Sequence, residues 1–138
     1  MAINFFSEGI SFKPKNIRKL KSWVKNIIEQ EKHSLAELNF IFCDDAYLHQ
    51  INMEYLQHDT YTDIITFDNS EQDTRIESDI FISIERVREN AEKLKVTFEQ
   101  ELHRVMIHGV LHLLGYQDKT LKEKAQMRAK EDSCLNLL

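Results

Sequence analysis

Leu102-His103-Arg104-Val105-Met106-Ile107-His108-Gly109-Val110-Leu111-His112-Leu113-Leu114, continued by Gly115-Tyr116-Gln117-Asp118, reads as a helix that is apolar on most sides and then stops. Such a helix has no solvent face to spare and has to lie buried, with neighbours on several sides. Its start is written just upstream, where Thr97-Phe98-Glu99-Gln100 has the form of a capping box. Its end is Gly115, which can take the left-handed conformation that closes a helix. On this helix His108 and His112 fall one turn apart on one face. The chain that folds back after Gly115 can bring Asp118 toward the same face. Two imidazoles and a carboxylate are three protein ligands for a transition metal, with a fourth position left for water, which is the layout of a catalytic site rather than a closed structural one. Gly109, between the histidines, costs about 1 kcal/mol relative to alanine in a helix. Room is the expected reason: a side chain there would block the metal or crowd a packed neighbour.

Two more helices are expected to flank this one, over about residues 84–95 and 120–137. Toward the N-terminus, Ile17, Leu20, Val24, Ile27 and Ile28 recur at helical spacing behind Pro14. Asp44 or Asp45 caps another helix carrying Tyr47, Leu48, Ile51 and Tyr55. Residues 3–6, 35–43, 62–67 and 78–83 have the β-branched and aromatic content of strands. The polar stretch between the last two, about ten residues, is long for a hairpin and predicts a mobile loop. Strands grouped early and helices late predict an α+β fold: a small, mixed β-sheet packed against several helices, with the metal motif on a buried central helix.

The chain has 138 residues, the size of a single domain spanning 1–138 that buries about two-thirds of its unfolded surface. Composition is that of an ordinary soluble globular protein, with no internal repeat and no run approaching the roughly 18–20 apolar residues of a membrane span. Met1 to Glu8 lacks the basic start and long apolar stretch of a signal peptide. Cys43 and Cys134 are isolated thiols without metal-type spacing. A cytoplasmic protein is expected. Net charge is −5, yet residues 13–25 carry six positive charges and no negative one. That segment is either a solvated helix face or, if it borders the site, a surface that meets phosphates.

The spacing His-x₃-His-x₂-Gly-x₂-Asp follows the metzincin protease pattern with two changes. Gly109 stands where a protease has the glutamate that takes the proton from metal-bound water, so a metalloprotease lacking its usual base is the runner-up. A non-haem iron oxygenase also uses two histidines and a carboxylate, but usually on a β-scaffold.

The same run, His108-Gly109-Val110-Leu111-His112-Leu113-Leu114-Gly115-Tyr116, resembles the YbeY family of bacterial endoribonucleases, whose members carry His-Gly-x-Leu-His-Leu-x-Gly-Tyr-Asp-His. The segment from Leu48 through Tyr55 to Thr62-Asp63-Ile64-Ile65-Thr66-Phe67 is similar to the family's Leu-Asn…Tyr-Arg…Thr-Asp-Val-Leu-Ser-Phe, and Ser78-Asp79-Ile80-Phe81-Ile82-Ser83 to its Gly-Asp-Ile-x-Ile-Ser strand. The resemblance covers residues 48–118, about half the chain. It implies a single-strand-specific, zinc-dependent endoribonuclease that matures the 3′ end of 16S ribosomal RNA and serves ribosome quality control. Its partners would be ribosomal precursor RNA and the small subunit. A metal-containing assembly factor without catalysis is a further alternative.

Two departures stand out. Asp118 replaces the family's third histidine, turning a His₃ site into His₂Asp; the harder oxygen ligand is acceptable to zinc and makes Mn²⁺, Co²⁺ or Fe²⁺ more competitive. Leu56 replaces an arginine implied to face the cleft, leaving His58, Arg75 and Arg104 as candidates for its positive charge. Asp63 is a strand-end turn former or a contact within the site, and Tyr116 is expected to pack in the core.

Overall fold

The computed structural model describes residues 2–56 and 62–138. Its elements follow in the order β1 (Ile3–Ser7), α1 (Ile17–Gln30), β2 (Ser34–Cys43), α2 (Asp45–Leu56), β3 (Ile64–Asp68), β4 (Arg75–Ser83), α3 (Ile84–Leu94), α4 (Phe98–Leu113) and α5 (Leu121–Leu135). The four strands form one mixed sheet in the order β1-β2-β4-β3, with β1, β2 and β4 parallel and β3 antiparallel on the edge beside β4. This is the expected α+β architecture, with α4 as the buried central helix.

Alternation along the strands sorts the side chains into two cores. Leu38, Phe40 and Phe42 of β2 and Ile76, Ile80 and Ile82 of β4 join the larger core, which packs under α1 and α4. Cys43, Ile65, Leu48 and Ile51 make a smaller one beneath α2. Asp44 caps α2, accepting from the Tyr47 backbone N–H at 2.8 Å, while Asp45 accepts from the Ser83 hydroxyl and the Arg86 guanidinium, tying α2 to α3.

The stretch between β3 and β4 differs from expectation. β4 begins at Arg75, so only residues 69–74 connect the two strands, and the turn is closed by hydrogen bonds from the Asn69 N–H to the Glu77 carbonyl and from the Glu77 N–H to the Ser70 hydroxyl. The strand was hidden because Arg75, Glu77 and Asp79 alternate with buried Ile76, Ser78 and Ile80, giving it the polarity of a loop. No helix among the described residues is long and apolar enough to cross a membrane.

Candidate metal centre

Helix α4 opens on the anticipated capping box, in which the Thr97 hydroxyl accepts from the Gln100 N–H and the Gln100 side chain accepts from the Thr97 N–H. It ends in a Schellman motif: Tyr116 N–H reaches the Leu111 carbonyl at 3.0 Å and Gly115 N–H the His112 carbonyl at 3.1 Å. Gly115 has φ +104° with nothing within 4 Å of where a Cβ would stand, so backbone conformation rather than space requires glycine there. The opposite holds at Gly109. A Cβ there would lie 2.8 Å from Ile64 Cδ1 and 3.1 Å from Ile80 Cδ1, so glycine lets α4 press directly against β3 and β4. The room it provides is for the sheet, not for a metal.

This close seating and the turn after Gly115 bring the three predicted ligands together. His112 Nε2 lies 3.1 Å from His108 Nε2, and Asp118 Oδ2 lies 3.4 Å from His108 Nε2 and 3.3 Å from His112 Nε2. Ligand atoms held about 2.0–2.1 Å from a tetrahedral ion stand about 3.3 Å from one another. The three edges match that spacing, so the donor set fits a metal ion of zinc's size. All three residues are partly exposed.

His108 is held from behind by a residue that sequence reasoning missed. Its Nδ1 lies 2.6 Å from Glu131 Oε2, and the N–H assigned there donates to that carboxylate, which turns the Nε2 lone pair toward the other ligands. Glu131 is buried on α5; its second oxygen accepts from Arg104 Nη1 at 2.9 Å, and Arg104 Nη2 continues to Asp132 at 2.7 Å. Burial pulls the His108 pKa down, but the hydrogen bond and charge of Glu131, with the charges of Asp118 and Asp63, more than offset it and leave the imidazole above its ordinary value. A signal for Glu131 was present in the sequence: with Met127 and Cys134 it forms the buried stripe of α5, a carboxylate where an apolar residue would be expected.

His108 and Asp118 open into a cleft of about 340 Å³, walled also by Asp63, Glu101, Arg104 and Glu131. Burial raises the pKa values of Asp63 and Glu101 and favours their neutral forms. Asp63 serves the strand end as well, its carbonyl accepting from the Ser83 N–H and its carboxylate from Asn90, which is the expected structural role. Tyr116 packs against the larger core and donates to Glu31 at 2.7 Å, fastening the end of α1 to the turn behind α4.

Of the candidates for the missing arginine, Arg104 lines the cleft but its guanidinium is engaged by Glu131 and Asp132. Arg75 opens β4, about 23 Å of strand away from Ile82, the residue that pairs with Ile64 of the cleft wall. His58 lies outside the described residues. The basic segment 13–25 does not border the cleft: Lys15 pairs with Glu99 in the first turn of α4, about 14 Å of helix before His108, and Lys13, Lys21 and Lys25 line depressions beside β1.

Comparison with known proteins bears on the family and the fold. The family model described as "Endoribonuclease YbeY" matches residues 3–138. A protein of that name from Cytophaga hutchinsonii is 54% identical over 135 residues, covering 98% of this chain and 94% of its own. Another from Amoebophilus asiaticus is 54% identical over 129 residues, covering 94% and 88%. A solution structure of a Thermotoga maritima protein superposes with a TM-score of 0.69 at 29% identity, covering 96% of this chain and 85% of that one. A match along nearly the whole length, on a fold that gathers the motif's polar residues at one point, leaves one conclusion: the chain belongs to the YbeY family.

Proposed function

We propose that this protein is a metal-dependent endoribonuclease of one domain, hydrolysing phosphodiester bonds of single-stranded ribosomal precursor RNA near the 3′ end of 16S ribosomal RNA, in the cytoplasm. The observation that carries the reading is the near-equilateral donor triangle of His108, His112 and Asp118 in a chain whose relatives are named endoribonucleases. Zn²⁺ is the first choice of ion on the match between the triangle's edges and a tetrahedral site. Two buried free thiols, Cys43 and Cys134, suit a reducing compartment.

When bound, the ion would supply Lewis-acid polarisation of a phosphoryl oxygen and a lowered pKa for water at the open fourth position. The remaining work falls to the chain. Glu131 fixes the tautomer and tilt of His108, the kind of support that ligating histidines generally need. Gly115 turns the backbone so that Asp118 can close the triangle, and the seat at Gly109 fixes α4, which carries both histidines, on the sheet. Gly109 also stands where a metalloprotease carries its proton-accepting glutamate, which disfavours peptide hydrolysis.

The test is cleavage of a single-stranded ribosomal precursor RNA by the zinc-loaded protein and by its His112→Ala variant. The variant should lose activity by more than about 100-fold, since metal assistance is worth several kcal/mol. Equal cleavage by the two proteins would overturn the catalytic reading and leave the assembly-factor alternative.

A further inference from the structure

The cleft beside the metal centre has one wall that neither the motif nor the Leu56 departure accounts for. Lys124 and Arg128 both line it, contributed by α5 together with Met127 and Glu131. They are four residues apart, so they stand one above the other on the same face of the helix. Both are exposed, and neither has an ion-pair partner within 4.0 Å among the described residues, whereas Arg104, deeper in the same cleft, is committed to Glu131 and Asp132. The cleft therefore presents two cations without a close ion pair in the same lining as His108 and Asp118.

We propose that Lys124 and Arg128 are the substrate-phosphate contacts of this enzyme, holding the RNA backbone beside the bond to be cut. This rests on the endoribonuclease reading and assigns its substrate-binding residues. The pairing suits the ligand: guanidinium grips phosphate oxygens in a planar fork, and an ammonium adds a flexible point charge. The acidic residues sharing the cleft oppose this less than their number suggests. Glu131 is paired with Arg104 and hydrogen-bonded to His108, and burial raises the pKa values of Asp63 and Glu101. Lys124 and Arg128 are the exposed cations of a lining that also holds His108 and Asp118.

The experiment uses the zinc-loaded full chain and a single-stranded oligoribonucleotide, with kcat/KM measured across a range of salt concentrations. Each phosphate contact on single-stranded nucleic acid contributes about 0.7 to the slope of log affinity against log salt. The double variant Lys124→Glu/Arg128→Glu should flatten the slope by about 1.4 and lower kcat/KM at least tenfold at low salt, chiefly through KM. Its zinc content should equal that of the wild type. Lys122→Glu, the same single reversal as Lys124→Glu but at a residue of α5 that does not line the cleft, should leave the slope in place where Lys124→Glu flattens it, and Arg128→Lys should recover part of the loss relative to Arg128→Glu. A wild type that cuts RNA while the double variant keeps the wild-type slope and KM overturns this proposal alone. An equal effect from Lys122→Glu overturns it too, since net charge would then be the cause. A zinc-loaded wild type that neither binds nor cuts RNA overturns the endoribonuclease reading and this proposal with it.

Discussion

Gly109→Ala tests whether the seat of α4 on the sheet, rather than helix propensity, governs that position. In an isolated helix the change would stabilise by about 1 kcal/mol. Here the added Cβ meets Ile64 Cδ1 at 2.8 Å and Ile80 Cδ1 and Cγ2 at 3.1 and 3.3 Å, and Ile80 is fully buried in the larger core. Forcing an extra carbon into a packed contact of this kind costs about 1–3 kcal/mol. The two effects leave a net loss of about 1 kcal/mol, which for a chain of this length lowers Tm by roughly 4 °C. The sign is opposite to that expected from propensity alone. Thermal unfolding of the metal-free protein, followed by circular dichroism, measures it without interference from metal binding. Ile64→Val removes the Cδ1 atom responsible for the shortest contact, so Gly109→Ala/Ile64→Val should be more stable than the sum of the single changes by about 0.5–1.5 kcal/mol. A rise in Tm for Gly109→Ala, together with additivity in the double variant, would refute the packing argument.

Glu131→Gln should weaken zinc binding by about 10–100-fold, measured by competition with a chromogenic chelator, with the fold retained because Gln can still accept from Arg104. It should also lower the pKa of His108 in the metal-free protein, read by NMR. The raised His108 value contributes stability that is fully present below the unfolded imidazole pKa of about 6.5 and disappears as pH rises through the folded value. Metal affinity runs the other way, falling as pH drops through that same pKa because the protonated ring has no lone pair to offer. An unshifted His108 titration in Glu131→Gln would refute the positioning role. Asp118→Ala should lose most of its zinc on dialysis against a mild chelator, by elemental analysis, while Asp118→His should retain it; full retention by Asp118→Ala would place the third ligand elsewhere.

Much of the fold was legible because its signals are local. The Thr97 capping box, the left-handed Gly115 and the apolar periodicity of α1 each act within a few residues, and the structure reproduces them. β4 was read short for an equally local reason: one face of it is polar along half its length, so alternation looked like a loop until β2 and β3 paired with it on both sides. The basic segment 13–25 shows the limit from the other direction. Its charge is plain in the sequence, but whether it meets the substrate depends on which end of α4 it lies along, and Lys15 pairs with Glu99 at the far end.

The sequence by itself determined that His108, His112 and Asp118 converge, because one helical turn and one tight turn connect them and nothing beyond residue 118 is needed. It also carried the family, through a motif whose residues are close together in the chain. Only the tertiary structure decided what surrounds those three residues. Glu131 lies 23 residues from His108, Ile64 and Ile80 press on Gly109 from two different strands, and Lys124 and Arg128 reach the cleft because α5 folds back beside α4. Such contacts join segments distant in the chain, so no spacing within it encodes them; they exist only once the buried faces of the sheet and helices have been brought together.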